Sequence, residues 1–232
     1  AWFIPVVKVI SYYVMISCNI GYLNVKLIYR NISMVQTSTR YTKTAIILHW
    51  LIAIFIVVMF VLGWFMADIP KDAPKQMAYD IFDLGIYTWQ LAEEASPRTF
   101  YFNLHKSLGV TILALIAIRI LWRISHKPPA PLNSYKAIER KVATGTHHLL
   151  YLLMLAVPVS GLIMAINSKY GVKWFGLDLI AGLDNKPLRE FFECTHEFIG
   201  IVLLVLVAIH VLAALKHKFI DKDETMSRMS LK

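Results

Sequence analysis

Eight histidines are the chain's best candidates for chemistry: His49, His105, His126, His147, His148, His196, His210 and His217. Two of them sit inside one nearly continuous apolar stretch, Phe191 to His217, FFECTHEFIGIVLLVLVAIHVLAALKH. At about 1.5 Å per residue such a stretch crosses a hydrocarbon layer of about 30 Å. His196 and His210 are fourteen residues apart, which on a helix is about 21 Å of rise and only about 40° from a common face. Ionisable side chains inside a bilayer are costly and mark function by default. Two imidazoles on one stripe, one at each depth, suit axial ligation of two stacked haems. A core histidine that satisfies a hydrogen bond would explain one of them more easily than both. The only cysteines are Cys18 and Cys194. With no CxxCH, covalent c-type haem attachment is excluded, and no CxxC suggests zinc or a dithiol.

The elements that must position these rings are membrane spans. Hydrophobic residues make up 57% of the chain, charged residues 17%, and the mean hydropathy is +0.56, a membrane composition. The formal charge of +9 could suit a nucleic-acid binder, but Lys and Arg cluster just outside apolar runs, where topology explains them. The expected fold is an all-α membrane protein: a four-transmembrane-helix bundle with spans near Ala45–Met66, Leu104–Ile124, His147–Ile166 and Phe191–Lys216. The first connection, residues 67–103, holds six acids and could form a short surface helix over Ile81–Ala92. The second, SHKPPAPLNSYKAIERK, reads as an extended turn followed by one helical turn. The third, GVKWFGLDLIAGLDNKP, reads as irregular, and the tail DKDETMSRMSLK as polar and solvated. Residues 34–232 form the expected bundle domain. Residues 1–33 read as upstream sequence or an extension, with a marginal span over Val9–Val25 and no assigned function. Met34 opens a segment that looks like a natural start.

Charge sets the expected orientation. The side carrying the start of span one, the second connection and the tail holds fourteen basic residues and four acids; the other side holds eight and eleven. The positive-inside rule places both ends of the bundle in the cytoplasm. Depth then sorts the histidines. His105 and His196 open spans two and four near the outer face; His49 opens span one and His210 closes span four near the inner face. Antiparallel neighbours can therefore pair His105 with His196 and His49 with His210. A macrocycle bonded to imidazole needs a small residue one turn along the same face. That position is Gly109, Gly200, Ala53 and Ala214 for these four, but Tyr151, Leu152 and Asp221 after His147, His148 and His217. His147 still competes for the inner site. It and His217 are also candidate quinone contacts, because quinone carbonyls need donors near the membrane edge, or else plain interfacial residues. Arg119 and Arg123 read as snorkelling anchors, as haem-propionate partners, or both. Pro158 and Gly161 read as a kink or a close-packing point in span three.

Five stretches carry a resemblance to a known family: RYTKTAIILHWLI, NLHKSLGVTILALIAIRILWRISHKPP, HLLYLLMLAVPVSGLIM, KWFGL and HEFIGIVLLVLVAIHVLAALKHKFIDKDETMSRM. Together they make residues 34–232 resemble the bacterial four-helix cytochrome b561, the small dihaem b type. The resemblance implies two b haems, with His49 paired to His210 and His105 to His196 as axial ligands of the haem iron. It also implies that His147 and His217 occur at matching positions without being ligands. It places the protein in the bacterial inner membrane, in contact with lipid and with ubiquinone as redox partner. Some members look like superoxide oxidases, passing an electron from superoxide at the outer face through both haems to ubiquinone. Here Lys106, Lys169, Lys173 and Arg189 could draw the anion inward. The long acidic first connection departs from the compact members and would oppose that steering. The alternative is a cytochrome b membrane anchor for a hydrogenase- or dehydrogenase-type soluble subunit, with the first connection as its docking face.

Overall fold

The computed structural model describes residues 40–130, 132 and 135–231; the expected extension over residues 1–33 lies outside them. Four long helices dominate: α1 Lys43–Ala67, α2 Pro97–Ser125, α3 Ala137–Ile166 and α4 Lys186–Lys216. Each is long and apolar enough to cross a membrane. Their flanks present large apolar side chains such as Ile54, Val57, Leu152, Ile201 and Leu212, which is how a bundle solvated by lipid should look. Helix starts carry side-chain caps that satisfy otherwise orphaned amides. Thr42 Oγ1 accepts from Ala45 N, Ser96 Oγ from Thr99 N ahead of Pro97, and Asn185 Oδ1 from Leu188 N. Thr42 also accepts from the Trp122 indole at 2.9 Å, which ties the start of α1 to the end of α2.

Backbones pack closely between α1 and α2, between α2 and α3, and most extensively between α3 and α4. By contrast, α1 and α2 meet α4 mainly through side chains, histidine rings among them. Few residues of α4 are buried; Gly200 and Leu203 are the exceptions. Apolar clusters stand instead at Ile52, Ile56, Ile112 and Ile116 between α1 and α2, and at Leu150, Leu153 and Leu203 between α3 and α4.

Two short hairpins cap the end of the bundle where α1 stops and α2 starts, here the hairpin pole; the opposite end is the terminal pole. The expected surface helix over Ile81–Ala92 is not formed. Instead β1 Gln76–Asp80 pairs antiparallel with β2 Thr88–Ala95, around a single 3-10 turn at Ile81–Asp83. The reason is alternation: along β2, Trp89 and Leu91 turn inward while Thr88 and Gln90 face out, the two-residue period of a half-buried strand. Tyr79, Phe100 and Tyr101 form the buried aromatic seat under this hairpin. The third connection, expected to be irregular, folds as β3 Val172–Trp174 and β4 Leu177–Ile180. Its two turn residues, Phe175 and Gly176, both have positive φ, the requirement of a tight hairpin turn matching strand twist. The helical run after the second connection is also longer than expected, since α3 starts ten residues before His147.

The tail is not free in solvent. A π-helical turn, His217–Asp221, ends α4, and the following residues fold back over the terminal pole. Arg40 donates to Ser227 O at 2.7 Å, Trp50 Nε1 to Met229 O at 2.9 Å and Arg228 to Ala130 O at 2.7 Å. Those bonds clamp the start of α1 and the second connection to the end of α4.

Candidate functional site

The structure brings the histidines together in two groups. At the hairpin pole the rings of His105 on α2 and His196 on α4 face one another, with centroids 6.3 Å apart and planes at 84°. At the terminal pole His49 on α1 and His210 on α4 stand 6.3 Å apart with planes at 70°. His147 on α3 reaches the same His210 ring at 5.7 Å. His126, expected to be solvated, is exposed and stacks on Trp122 at 3.9 Å.

The two groups are dressed differently. His196 Nδ1 lies 2.9 Å from the Val157 carbonyl and 3.2 Å from Ser160 Oγ. Because a carbonyl only accepts, Nδ1 carries the proton and Nε2 keeps its lone pair. That arrangement is what orients a metal-binding imidazole. Gly161 makes room for the ring: a Cβ there would come within 2.9 Å of His196 Cε1. On the other side of the pair, Gly63 of α1 faces His105 at a comfortable 3.7 Å. His105 Nδ1 is buried and has no hydrogen-bond partner among the described residues. Gly109 and Gly200, flagged as the small residues beside these histidines, face Met59 and Phe60 of α1.

At the terminal pole a guanidinium replaces the carbonyl. Arg119 Nη2 lies 3.1 Å from His49 Nδ1, and its carbon stands 5.7 Å over the Tyr151 ring. Its Nε is buried without a hydrogen-bond partner among the described residues. Beside it, a cleft of about 370 Å³ opens between α2 and α3, lined by Arg123, Thr144, His147, His148 and Tyr151 with Ile120, Ile124, Leu152 and Leu155. Apolar walls with a few convergent polar groups are the usual make-up of a small-molecule site. His217 does not line this cleft. It is held in the tail, with Nδ1 at 2.7 Å from Asp223 Oδ2 and 3.1 Å from Asp221, and its ring 5.0 Å from Tyr135. Thr225 donates its backbone N–H to Asp223 and shares a short hydrogen bond with the Tyr135 hydroxyl.

The four cations expected to draw an anion to the hairpin pole are mostly engaged. Lys106 donates to Gly171 O at 3.1 Å, Lys173 pairs with Asp178 at 3.1 Å and Arg189 with Glu193 at 2.7 Å. Lys169 lies over the Tyr170 ring. Missed at the level of sequence were Val157, Ser160 and Gly161 as the cradle of His196, and the tail clamp around His217. A clue to the first was present, since Pro158-x-Ser160-Gly161 puts a hydroxyl and a missing side chain one turn from a helix-interrupting proline.

Four apolar helices holding two facing histidine groups at opposite depths define a membrane cytochrome b. The match to known proteins agrees: residues 40–231 fit the family described as prokaryotic cytochrome b561. The chain is 34% identical over 199 residues to "Cytochrome b561 homolog 2" of Escherichia coli K12, covering 85% of this chain and 94% of that one. It is 26% identical over 195 residues to "Cytochrome b561 homolog 1" of the same organism, covering 82% and 96%. It is also similar to "Probable superoxide oxidase CybB" of Yersinia pestis, at 25% over 193 residues, 82% of this chain and 95% of that one. The chain belongs to the prokaryotic cytochrome b561 family. It is a multi-pass bacterial membrane protein of electron transfer, and its family implies b-type haem.

Proposed function

We propose that the chain carries electrons across the membrane between two haem b sites and a quinone. His105 and His196 would hold one haem at the hairpin pole, and His49 and His210 the other at the terminal pole. The observation that carries this reading is the ring spacing. Two imidazoles on opposite faces of a metal, each about 2 Å from it, have centroids about 6 Å apart, and both pairs stand at 6.3 Å. When bound, b-type haem supplies a one-electron carrier. The chain's own residues do the rest. His196 Nδ1–H donates to Val157, which holds the ring in the tautomer that leaves Nε2 open. Arg119, with its buried unpartnered Nε, is placed to meet a propionate near His49, and Arg123 extends the same positive edge. The α2–α3 cleft would take the quinone head group, with Arg123, His147, Thr144 and Tyr151 offering donors to its carbonyls. His217, held by the tail carboxylates, would stand behind this site rather than in it.

The positive-inside count supports a cytoplasmic terminal pole, so electrons would cross between the periplasmic side and a quinone at the inner leaflet. Superoxide as donor is the finer reading that the similarity to a probable superoxide oxidase supports. A membrane-anchor role beside a soluble dehydrogenase-type subunit is the alternative that the hairpin pole favours. The decisive experiment is the haem-to-protein ratio and reduced-minus-oxidised spectrum of the purified chain beside His105→Ala and His210→Ala. Two haems per chain are expected, and each variant should lose a different one. A single haem in the parent protein, or an unchanged spectrum in either variant, overturns the proposal.

A further inference from the structure

The hairpin pole exposes a surface that the electron-transfer reading does not use. Its β1–β2 turn presents Leu84, Ile86 and Tyr87 at 61%, 81% and 62% exposure. Asp68 and Asp72, just after α1, and Glu93 and Glu94, at the end of β2 away from the turn, are exposed on the same connection, and none has an ion-pair or hydrogen-bond partner among the described residues. Lys71 and Lys75 are the exposed cations of the same connection. An exposed apolar tip on a hairpin whose base carries unpaired charges has the make-up of a transient protein interface. The surface is also wired to the histidines beneath it. The hairpin packs on Leu104 and Leu108 of α2, which flank His105. Trp89 of β2 stacks on Phe175 at 6.2 Å and 13°, and Phe175 N donates to Ser107 Oγ at 3.0 Å.

We infer that this tip and its carboxylates dock a soluble, lysine-rich redox protein, which exchanges electrons with the His105/His196 site through the Trp89–Phe175 side of the pole. The inference rests on the proposed haem at that site and deepens it by naming the partner's chemistry. Charge decides between occupants. A small anion would be repelled by these acids, and the nearby Lys106, Lys173 and Arg189 are already engaged. An anionic lipid surface would meet the same repulsion. A basic protein face is attracted, which raises its encounter rate and orients it. The haem that His105 and His196 would hold would supply one electron to the partner's ferric centre, with no bond made or broken.

The test uses the full chain in lipid nanodiscs, with a lysine-ringed ferric c-type cytochrome as probe and an acidic flavodoxin as control. Binding is read by surface plasmon resonance and electron transfer by stopped flow after chemical reduction. At low salt the basic probe should bind and react at least about tenfold better than the acidic control, and the advantage should vanish above a few hundred millimolar salt. The double variant Glu93→Lys, Glu94→Lys should cost the basic probe about tenfold, and Ile86→Ser with Tyr87→Ser should weaken it at every salt concentration, both with unchanged haem spectra. Equal behaviour of the two probes, or indifference to charge reversal, overturns the docking surface. So does quenching of an Ile86→Trp reporter by brominated lipid, which would put the tip in the bilayer. Absence of haem in the same preparation would sink the electron-transfer reading separately, while the binding arm still scores the surface.

Discussion

The two poles solve a similar problem with different materials. At the hairpin pole two rings face each other with a backbone carbonyl, a serine hydroxyl and a glycine around His196. At the terminal pole three rings share the space, a guanidinium takes the place of the carbonyl, and an open cleft adjoins them. A carbonyl acceptor fixes one tautomer, whereas an arginine beside Nδ1 leaves that nitrogen as an acceptor until an anion draws the guanidinium away. The first pole is therefore built to hold a ring in one state. The second, with an arginine free to turn toward an arriving anion and a cleft beside it, fits the quinone site proposed above.

The contrast breaks most decisively on the histidines. His196→Ala should remove the haem of the hairpin pole and spare the other, as judged by pyridine haemochrome quantification. At the terminal pole, His49→Ala and His147→Ala decide which ring partners His210. The expected outcome is loss of haem in the first and retention in the second, with quinone reduction slowed in the second; the reverse pattern would reassign the ligand. Gly161→Ala should come next. Its new Cβ would crowd the His196 ring and distort only the hairpin-pole haem, seen as a shift of one low-spin ferric signal in electron paramagnetic resonance while the other stays. Ser160→Ala is milder, because Val157 O still accepts from His196; outer partners of metal ligands typically change affinity by about tenfold, and haem retention under dilution measures it.

The smallest effect belongs to the tail. Burial pushes the Asp223 carboxyl up, but hydrogen bonds from Thr225 and His217 outweigh it and hold the group below the ordinary carboxylate range. A depressed carboxyl stabilises the fold above its unfolded titration, near pH 4, and that contribution fades as pH falls through the lower folded value. The clamp should thus be intact at neutral pH and loosen only in acid. Trp50 fluorescence reports it, since its indole donates to Met229 O. Asp223→Asn should move the loosening to a pH-independent, weaker baseline; an unaltered acid transition would show that another group governs the tail.

Much of the bundle was legible because a membrane span leaves little freedom. Four apolar runs of the right length, bounded by charge, require four helices, and α1 and α4 differ from their expected limits only at the capped ends. The meeting of His105 with His196 and of His49 with His210 was also legible, since depth along a span follows directly from residue number. Less legible were the two hairpins. Ile81–Ala92 carries helix-compatible residues, and only packing of Trp89 and Leu91 onto Phe100, Tyr101 and their neighbours selects the strand. The tail was misread for a related reason. DKDETMSRMSLK is polar enough to be solvated, and its order comes from partners as distant as Arg40, Trp50 and Ala130.

What the residues determined alone was the lipid-facing composition, the number of helices and the depth of each imidazole, because hydrophobic length and rise per residue are local quantities. What only the tertiary structure decided was which atom of His196 holds its proton, and that His147 shares a space with His210 while His217 is drawn into the tail. Those are matters of rotation about helix axes and of contacts between distant segments. A hydrogen-bond partner 39 residues away, as Val157 is for His196, leaves no local trace in the order of amino acids.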